Sequence, residues 1–311
     1  MPQISVIIPL YNKGFIIAKT LASVFAQTFT DYEIIIIDDG STDSSVEKVN
    51  QFDDSRIQLF QQVNHGAAAA RNLGIEKANY ELIAFLDADD YWFPNHLATL
   101  VQLYENYPNC GIYASRYLTK IATNKTITNS FSNCIPDDFQ GIIPDFFKAS
   151  LINRVATSSS ILVPKTILIQ NNGFNKEVTS GQDLELWTKI GIKNRVAISN
   201  KTTAIYNFEL PNSLSKTSFS KKKLMDFKQF SEAEKQNNSL KKFLDIYRLE
   251  YALQFRIAGE IEKSNSYLKD ITSKIPFKTK VLFITPSFIL KFLLKVKHLL
   301  KKYGIDFSVY H

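Results

Sequence analysis

The segment Tyr32–Asp39, YEIIIIDD, sets four isoleucines in a row and closes on two aspartates. Successive side chains of a strand point to opposite faces, so such a run has no polar face to offer water and must be covered on both sides. Three further runs share this character: ISVIIPL (Ile4–Leu10), RIQLF (Arg56–Phe60) and ELIAFLDADD (Glu81–Asp90). Between them lie IIAKTLASVFAQ (Ile16–Gln27) with apolar residues at helical spacing, STDSSVEKVNQF with Ser/Thr/Asp capping chemistry, and the helix-favouring AAAARNLGIEKA. Strands alternating with helices predict an α/β domain with a largely parallel sheet, and ligands of such sheets sit outside the carboxyl ends of the strands. Pro9-Leu10-Tyr11, Asp38-Asp39 and Asp87-Ala88-Asp89 all fall there.

The 311 residues are enough for a full core plus an appendage. After about Tyr113 the pattern loosens into Asn/Thr/Ser-rich sequence up to Asn133. TSSSILVPKTIL then reads as a strand and a short helix opened by Pro164, and GQDLELWTKIGI as a helix. From Lys216 the sequence is mainly helical, and the Ser/Asn/Lys-rich joint Pro211–Lys223 is the best boundary, dividing residues 1–215 from 216–311. Charge divides at the same place: residues 1–215 carry 17 basic and 21 acidic side chains, residues 216–311 carry 20 and 9. An acidic front half argues against nucleic-acid binding there, whereas the basic tail suits nucleic acid or an anionic membrane. The two cysteines, Cys110 and Cys134, make no disulfide framework and fit a reducing compartment. Met1–Tyr11 shows no secretory signal, and Lys291, Lys295 and Lys297 interrupt the one candidate apolar span, so a cytoplasmic location without a transmembrane helix is expected.

Two nucleotide motifs are excluded. PLYNKG lacks the glycines of a dinucleotide fingerprint, and no P-loop accompanies IIIIDD. What remains is the acidic cluster Asp87, Asp89 and Asp90 closing an apolar strand. Carboxylates that close repel one another and resist leaving water unless a cation or strong donors compensate. Mg²⁺ or Mn²⁺ is commonly bound through one or two carboxylates plus substrate phosphates, which fits the place and the residues.

IPLYNKG, IIIIDDGSTD, NHGAAAARNLG, FLDADD and the later GQDLELW, in this order and spacing, resemble glycosyltransferase family 2 with its GT-A nucleotide-sugar fold, over roughly Ile4 to Ser215. The resemblance implies residues 1–110 binding a nucleotide-sugar donor, a UDP-sugar by preference, and residues 111–215 forming the acceptor side. It implies Pro9 and Tyr11 as the wall around the donor base and Asp39 as acceptor of a uracil N–H. A helix-capping role for Asp39 competes with this, unless Asp43 takes that role. Arg71 would reach base or phosphates, or be a surface ion pair; Asp87 would bind the ribose and Asp89 the divalent metal. Asp90 would either support the metal or cap the helix beginning near Pro94. Asp183 matches the family's general base, next to Gln182 where the family often has Glu. Glu185 is a substitute for that Glu or part of a solvated helix face; Trp187 stacks on a sugar or packs in the core. His65 and His96 lack ligand-like spacing and read as structural.

By the same resemblance the reaction is a single inverting displacement toward a surface-polysaccharide or lipid-linked glycan acceptor. A non-catalytic nucleotide-sugar-binding subunit and a polyprenyl-phosphate sugar transferase are the alternatives. LPNSLS (Leu210–Ser215) resembles a loop near the end of the family's catalytic domain. In the tail, Lys291, Lys295, His298 and Lys302 form one helical stripe beside Ile289, Phe292, Leu293, Val296, Leu299 and Leu300. Such a helix fits a membrane interface, holding the protein peripherally on the inner face of the cell membrane, or packs on the protein itself or a dimer partner.

Overall fold

A computed structural model describes residues 2–122, 124–132, 134–208 and 222–302. The four apolar runs are β1 (Ile4–Leu10), β2 (Tyr32–Asp38), β3 (Ile57–Gln61) and β4 (Leu82–Phe85), joined through α1 (Ile17–Phe25), α2 (Ser45–Val49) and α3 (Ala67–Lys77). They lie parallel in the order β3-β2-β1-β4. The isoleucines of β2 are fully buried, as continuous apolarity requires. Helix α3 lies so close on β1 that a Cβ at Gly74 would overlap Ile7. Where the strands end, Asp39 N–H donates to the Leu10 carbonyl and Leu86 N–H to that of Ile7, so both acidic segments leave the sheet beside Tyr11.

The sheet continues through β5 (Tyr91–Trp92), β6 (Cys110–Ala122), β7 (Lys125–Thr128), β8 (Gly141–Ile142), β9 (Ile161–Pro164) and β10 (Arg195–Asn207). Strand β9 runs antiparallel between β4 and β6, and β10 returns to the parallel direction beside β6. The α/β expectation with a mostly parallel sheet is met. Helices α4 (His96–Asn106), α5 (Phe146–Ala149), α6 (Lys165–Gln170) and α7 (Gln182–Lys193) accompany this half.

The loosened pattern after Tyr113 hides a strand. Strand β6 runs 13 residues to Ala122 and turns back into β7. Its polar side chains find partners within the fold, so it needs no alternating pattern: Arg116 donates to the Pro136 carbonyl and lies over Phe131, and Asn129 bonds both Thr119 and the Tyr117 carbonyl.

Beyond residue 222 come α8 (Ser231–Gln236), α9 (Asn238–Ala258), α10 (Ile261–Lys269), α11 (Phe277–Ile284) and α12 (Ser287–Lys302). Asn237 caps α9 by accepting from Leu240 N–H, and Gly259 ends it at φ 94°. Leu240, Phe243, Leu244 and Tyr251 of α9 join the same core as the sheet, with the Phe243 ring 5.5 Å from that of Phe147. Arg248 is buried between Glu234 and Asp245 and lies over Phe227. Helix α12 lies against α9 and β6, burying Leu290. Among the described residues no helix is long and apolar enough to cross a membrane. The LPNSLS loop and most of the proposed domain joint lie outside the described residues.

Candidate active site

On one side of the crevice Tyr11 is exposed and Pro9 half-buried, both at the end of β1. Asp39 is buried beneath them. Its carboxylate accepts from His65 N–H (2.8 Å), Gly66 N–H (2.8 Å) and Gln62 Nε2 (2.6 Å), so it braces the turn that launches α3. The start of α2 belongs instead to Asp43, which accepts from Ser45 N–H and Gly14 N–H.

The acids after β4 find cations within the chain. Arg71, buried on α3 and lying over Phe174, donates from Nη2 to Asp87 Oδ1. Lys13 Nζ lies 2.7 Å from Asp89 Oδ2, with both side chains largely covered. Asp90 turns the other way. It accepts from Ser159 Oγ and from Asn207 N–H, while Thr20 Oγ1 holds the carbonyls of Ala88 and Asp90. It therefore pins the acidic loop to β10 and does not cap α4, whose N-cap is Asn95. Burial, then Asp89 and Asp87, push the Asp90 carboxyl well above the usual carboxylate range. Asp89 is also raised, since burial and Asp87 outweigh Lys13. Asp87 with Asp89 is a hard-oxygen pair suited to Mg²⁺ or Mn²⁺ held jointly with a diphosphate. Among the described residues no group of three or more His, Cys, Asp or Glu side chains is placed to hold a metal without such a partner.

Across the crevice α7 begins at Gly181, whose φ of 88° is left-handed; a Cβ there would stand 2.6 Å from the Tyr251 hydroxyl. Asp183 follows in the first turn, with Arg154 Nη1 2.8 Å from its Oδ2. Burial alone would raise Asp183, but Arg154 and Arg71 outweigh it and hold the carboxyl below its ordinary value. Arg71 is thus the link between the two sides: its guanidinium bonds Asp87, and its charge also acts on Asp183 and Asp90. Tyr206 on β10 faces the same groups; burial and Asp90 push its hydroxyl upward.

Sequence reasoning named Pro9, Tyr11, Asp39, Arg71, Asp87, Asp89 and Asp183. The fold gathers these seven at the carboxyl ends of the strands and the facing end of α7. It adds Lys13, Arg154, Tyr206 and residues of α9. Lys13 was legible, being two residues beyond Tyr11 inside PLYNKG; an isolated Arg154 carries no such signal. Trp187 is buried, with ring centroids 5.5 Å from Phe174 and 6.0 Å from Phe85, which settles it in the core. Glu185 is a correction to the solvated face expected of it. It is buried and bonded to Lys189 and Asn175, because its side of α7 packs under the segment carrying Asn175. His96 is structural: it stacks on Trp92 and bonds Thr203, and burial pushes its pKa down to about 3.

Comparison with known proteins gives this arrangement its family. Glycosyltransferases of Rickettsia felis, Rickettsia bellii and Rickettsia conorii, none characterized, are 34%, 32% and 35% identical over 62% of the chain. The chain spans only 31%, 27% and 31% of their length. The UDP-Glc:alpha-D-GlcNAc-diphosphoundecaprenol beta-1,3-glucosyltransferase WfgD of Escherichia coli is 27% identical over 272 residues, 82% of this chain and 93% of its own. Among solved structures, residues 1–349 of S. aureus TarS in complex with UDP-GlcNAc superpose with a TM-score of 0.65 at 19% identity, covering 97% of this chain and 88% of that one. The mannosyltransferase PcManGT of Pyrobaculum calidifontis, in complex with GDP-Man and Mn²⁺, gives 0.58 at 16% identity over 97% and 84%. These two likenesses establish the GT-A fold. The family described as Glycosyl transferase family 2 matches residues 5–174, more than half of the sequence, and the chain belongs to it.

Proposed function

We propose that the protein is an inverting glycosyltransferase that moves a sugar from a nucleoside diphosphate, by preference a UDP-sugar, to a hydroxyl of a lipid-linked or surface-polysaccharide glycan. The observation that carries this reading is the position of Arg71, paired with Asp87 on the donor side while its charge also acts on Asp183 across the crevice. A guanidinium bonded to one carboxylate whose charge also acts on the other supports two half-sites that would serve a single sugar. Pro9 and Tyr11 would wall the nucleotide base, Asp39 would meet its polar edge and Asp87 the ribose. Asp89 would hold a divalent cation that offsets charge developing on the leaving diphosphate. Asp183 would take the proton of the acceptor hydroxyl as its oxygen bonds to the anomeric carbon and the bond to the diphosphate oxygen breaks. A carboxylate kept ionised at neutral pH is in the right protonation state for that task. WfgD and TarS, by their names and ligands, support a UDP-sugar donor, and WfgD a diphosphoundecaprenol-linked acceptor.

We also place the C-terminal helices at a membrane. Phe277, Val281 and Ile284 on α11, with Phe288, Phe292 and Leu293 on α12, are exposed large apolar side chains. Residues 271–302 carry eight lysines and no acidic residue, so the surrounding charge suits anionic headgroups.

The test supplies UDP-glucose or UDP-GlcNAc, Mn²⁺ and a synthetic GlcNAc-diphosphate lipid, and measures product together with released UDP. Asp183→Asn is expected to lose roughly 10²- to 10⁴-fold in turnover while binding UDP as before. A variant that turns over like the wild type would remove Asp183 from the mechanism.

A further inference from the structure

Phe174 stands where the donor side and the base-bearing helix meet. It follows α6 by a short turn and is buried in the core. Its ring centroid lies 5.4 Å from that of Phe85, the last residue of β4 and two before Asp87, with the ring planes at 87°. The Trp187 ring of α7 lies 5.5 Å away at 83°. Edge-to-face contacts of this kind fix the orientation of a ring as well as its place. The Arg71 guanidinium carbon lies over the same ring, 5.3 Å from the centroid and within the range of a cation–π contact. The backbone of Phe174 is held from α3 as well. Asn72, the neighbour of Arg71, donates from Nδ2 to the Phe174 carbonyl (2.8 Å) and accepts from the Phe174 N–H at Oδ1 (2.8 Å). One residue thus touches the elements that carry Asp87, Asp183 and Arg71.

Arg71 needs such a support. It is buried, yet among the described residues its side chain makes one hydrogen bond, from Nη2 to Asp87, and its Nε is buried without a partner. A single bond leaves a planar fork free to turn about it, so the plane of the fork is set by the surface it lies on. We propose that Phe174 is a positioning residue for donor binding: clamped by Asn72, its ring holds the Arg71 guanidinium in the orientation that bonds Asp87 and meets the nucleoside diphosphate. This inference rests on Arg71 serving the donor in the proposed reaction. Arg71 and Asn72 are adjacent on α3, so one helix supplies both the cation and the clamp on its support.

The experiment is a double-variant cycle on the full-length protein, read by calorimetric titration of UDP in saturating Mn²⁺. Phe174→Leu keeps an apolar side chain but removes the ring, and is expected to weaken UDP binding about three- to tenfold. In the Arg71→Met background the same change should alter UDP binding by less than about twofold, because the ring acts through the guanidinium. Asn72→Ala should weaken UDP binding in the same direction, and its effect too should disappear beside Arg71→Met. Should Phe174→Leu fail to fold, Asn72→Ala carries the cycle alone. A role confined to core packing would lower the melting temperature without this coupling in UDP affinity. A Phe174→Leu protein that binds UDP like the wild type, or an effect undiminished beside Arg71→Met, would overturn the positioning. Either result in a protein that binds UDP and transfers sugar refutes the positioning alone, whereas a wild type that neither binds UDP nor transfers sugar refutes the transfer reading and the positioning with it.

Discussion

Lys13→Met isolates the part of the acidic cluster that the chain neutralises for itself. Lys13 Nζ sits 2.7 Å from Asp89 Oδ2, and the two side chains are 15% and 17% exposed, so solvent screens the pair only weakly. A hydrogen bond to a charged partner in such a setting contributes about 1.5–3 kcal/mol. A cation that binds Asp89 must displace Lys13 and forgo that amount. With about 1.4 kcal/mol per tenfold, removing the ammonium should tighten Mn²⁺ binding to the nucleotide-free protein about ten- to hundredfold. The same change leaves Asp89 beside Asp87 without its cation. Burial already raises the Asp89 carboxyl despite Lys13, so the variant should melt lower than the wild type in chelator and recover in Mn²⁺. Calorimetric titration of Mn²⁺ into both proteins, with melting curves in chelator and in saturating Mn²⁺, checks each half. Equal or weaker Mn²⁺ binding by Lys13→Met would show that the metal does not meet Asp89, and the assignment would fall.

Three further outcomes follow from the geometry. Gly181→Ala should destabilise by about 1–3 kcal/mol, combining the left-handed φ of 88° with the contact on the Tyr251 hydroxyl; Tyr251→Phe in the same background should recover the contact part, read as melting temperature. Phe288→Ser with Phe292→Ser should reduce co-sedimentation with anionic phosphatidylglycerol vesicles by about tenfold or more, since each buried phenyl contributes roughly 1.5 kcal/mol at least; unchanged sedimentation would leave α12 as a helix that only packs on α9. UDP and Mn²⁺ should tighten one another's binding by the same factor, about tenfold or more, measured by titrating each in the presence and absence of the other.

The first four strands were legible because their chemistry is uniform: a run such as Ile34–Ile37 has one solution, a strand covered on both faces. Strands β6 and β10 were not, because their polar residues are paid for by partners distant in sequence, such as Asn129 for β6 and Asp90 for the end of β10. The site divided in the same way. Asp87, Asp89 and Asp183 carry motif and position, whereas Arg154 acquires meaning only when the fold brings it onto Asp183 at the start of α7. Glu185 marks the limit of local reasoning. A carboxylate in the first turn of an amphipathic helix reads as solvated, and only the packing of Asn175 and Lys189 around it shows otherwise.

The acidic cluster first called for a cation from outside, yet Lys13, Arg71 and Arg154 already face Asp89, Asp87 and Asp183. Burial pushes the fourth acid, Asp90, toward its neutral form, so the crevice as folded is close to electrically balanced. This explains how four acidic side chains can be gathered between the carboxyl ends of buried strands and the start of α7 without unfolding them. It also constrains the order of events. A divalent cation alone would leave an excess of positive charge against Lys13 and Arg71, and a diphosphate alone would press negative charge on Asp87 and Asp89. Arriving together, as the proposed reaction requires, they would cancel, and the lysine and arginine released from the carboxylates would be free to meet phosphate oxygens. On the proposed reading, the ion pairs of the folded site would be the resting positions of donor-binding cations, moved by the charge of the donor–metal complex.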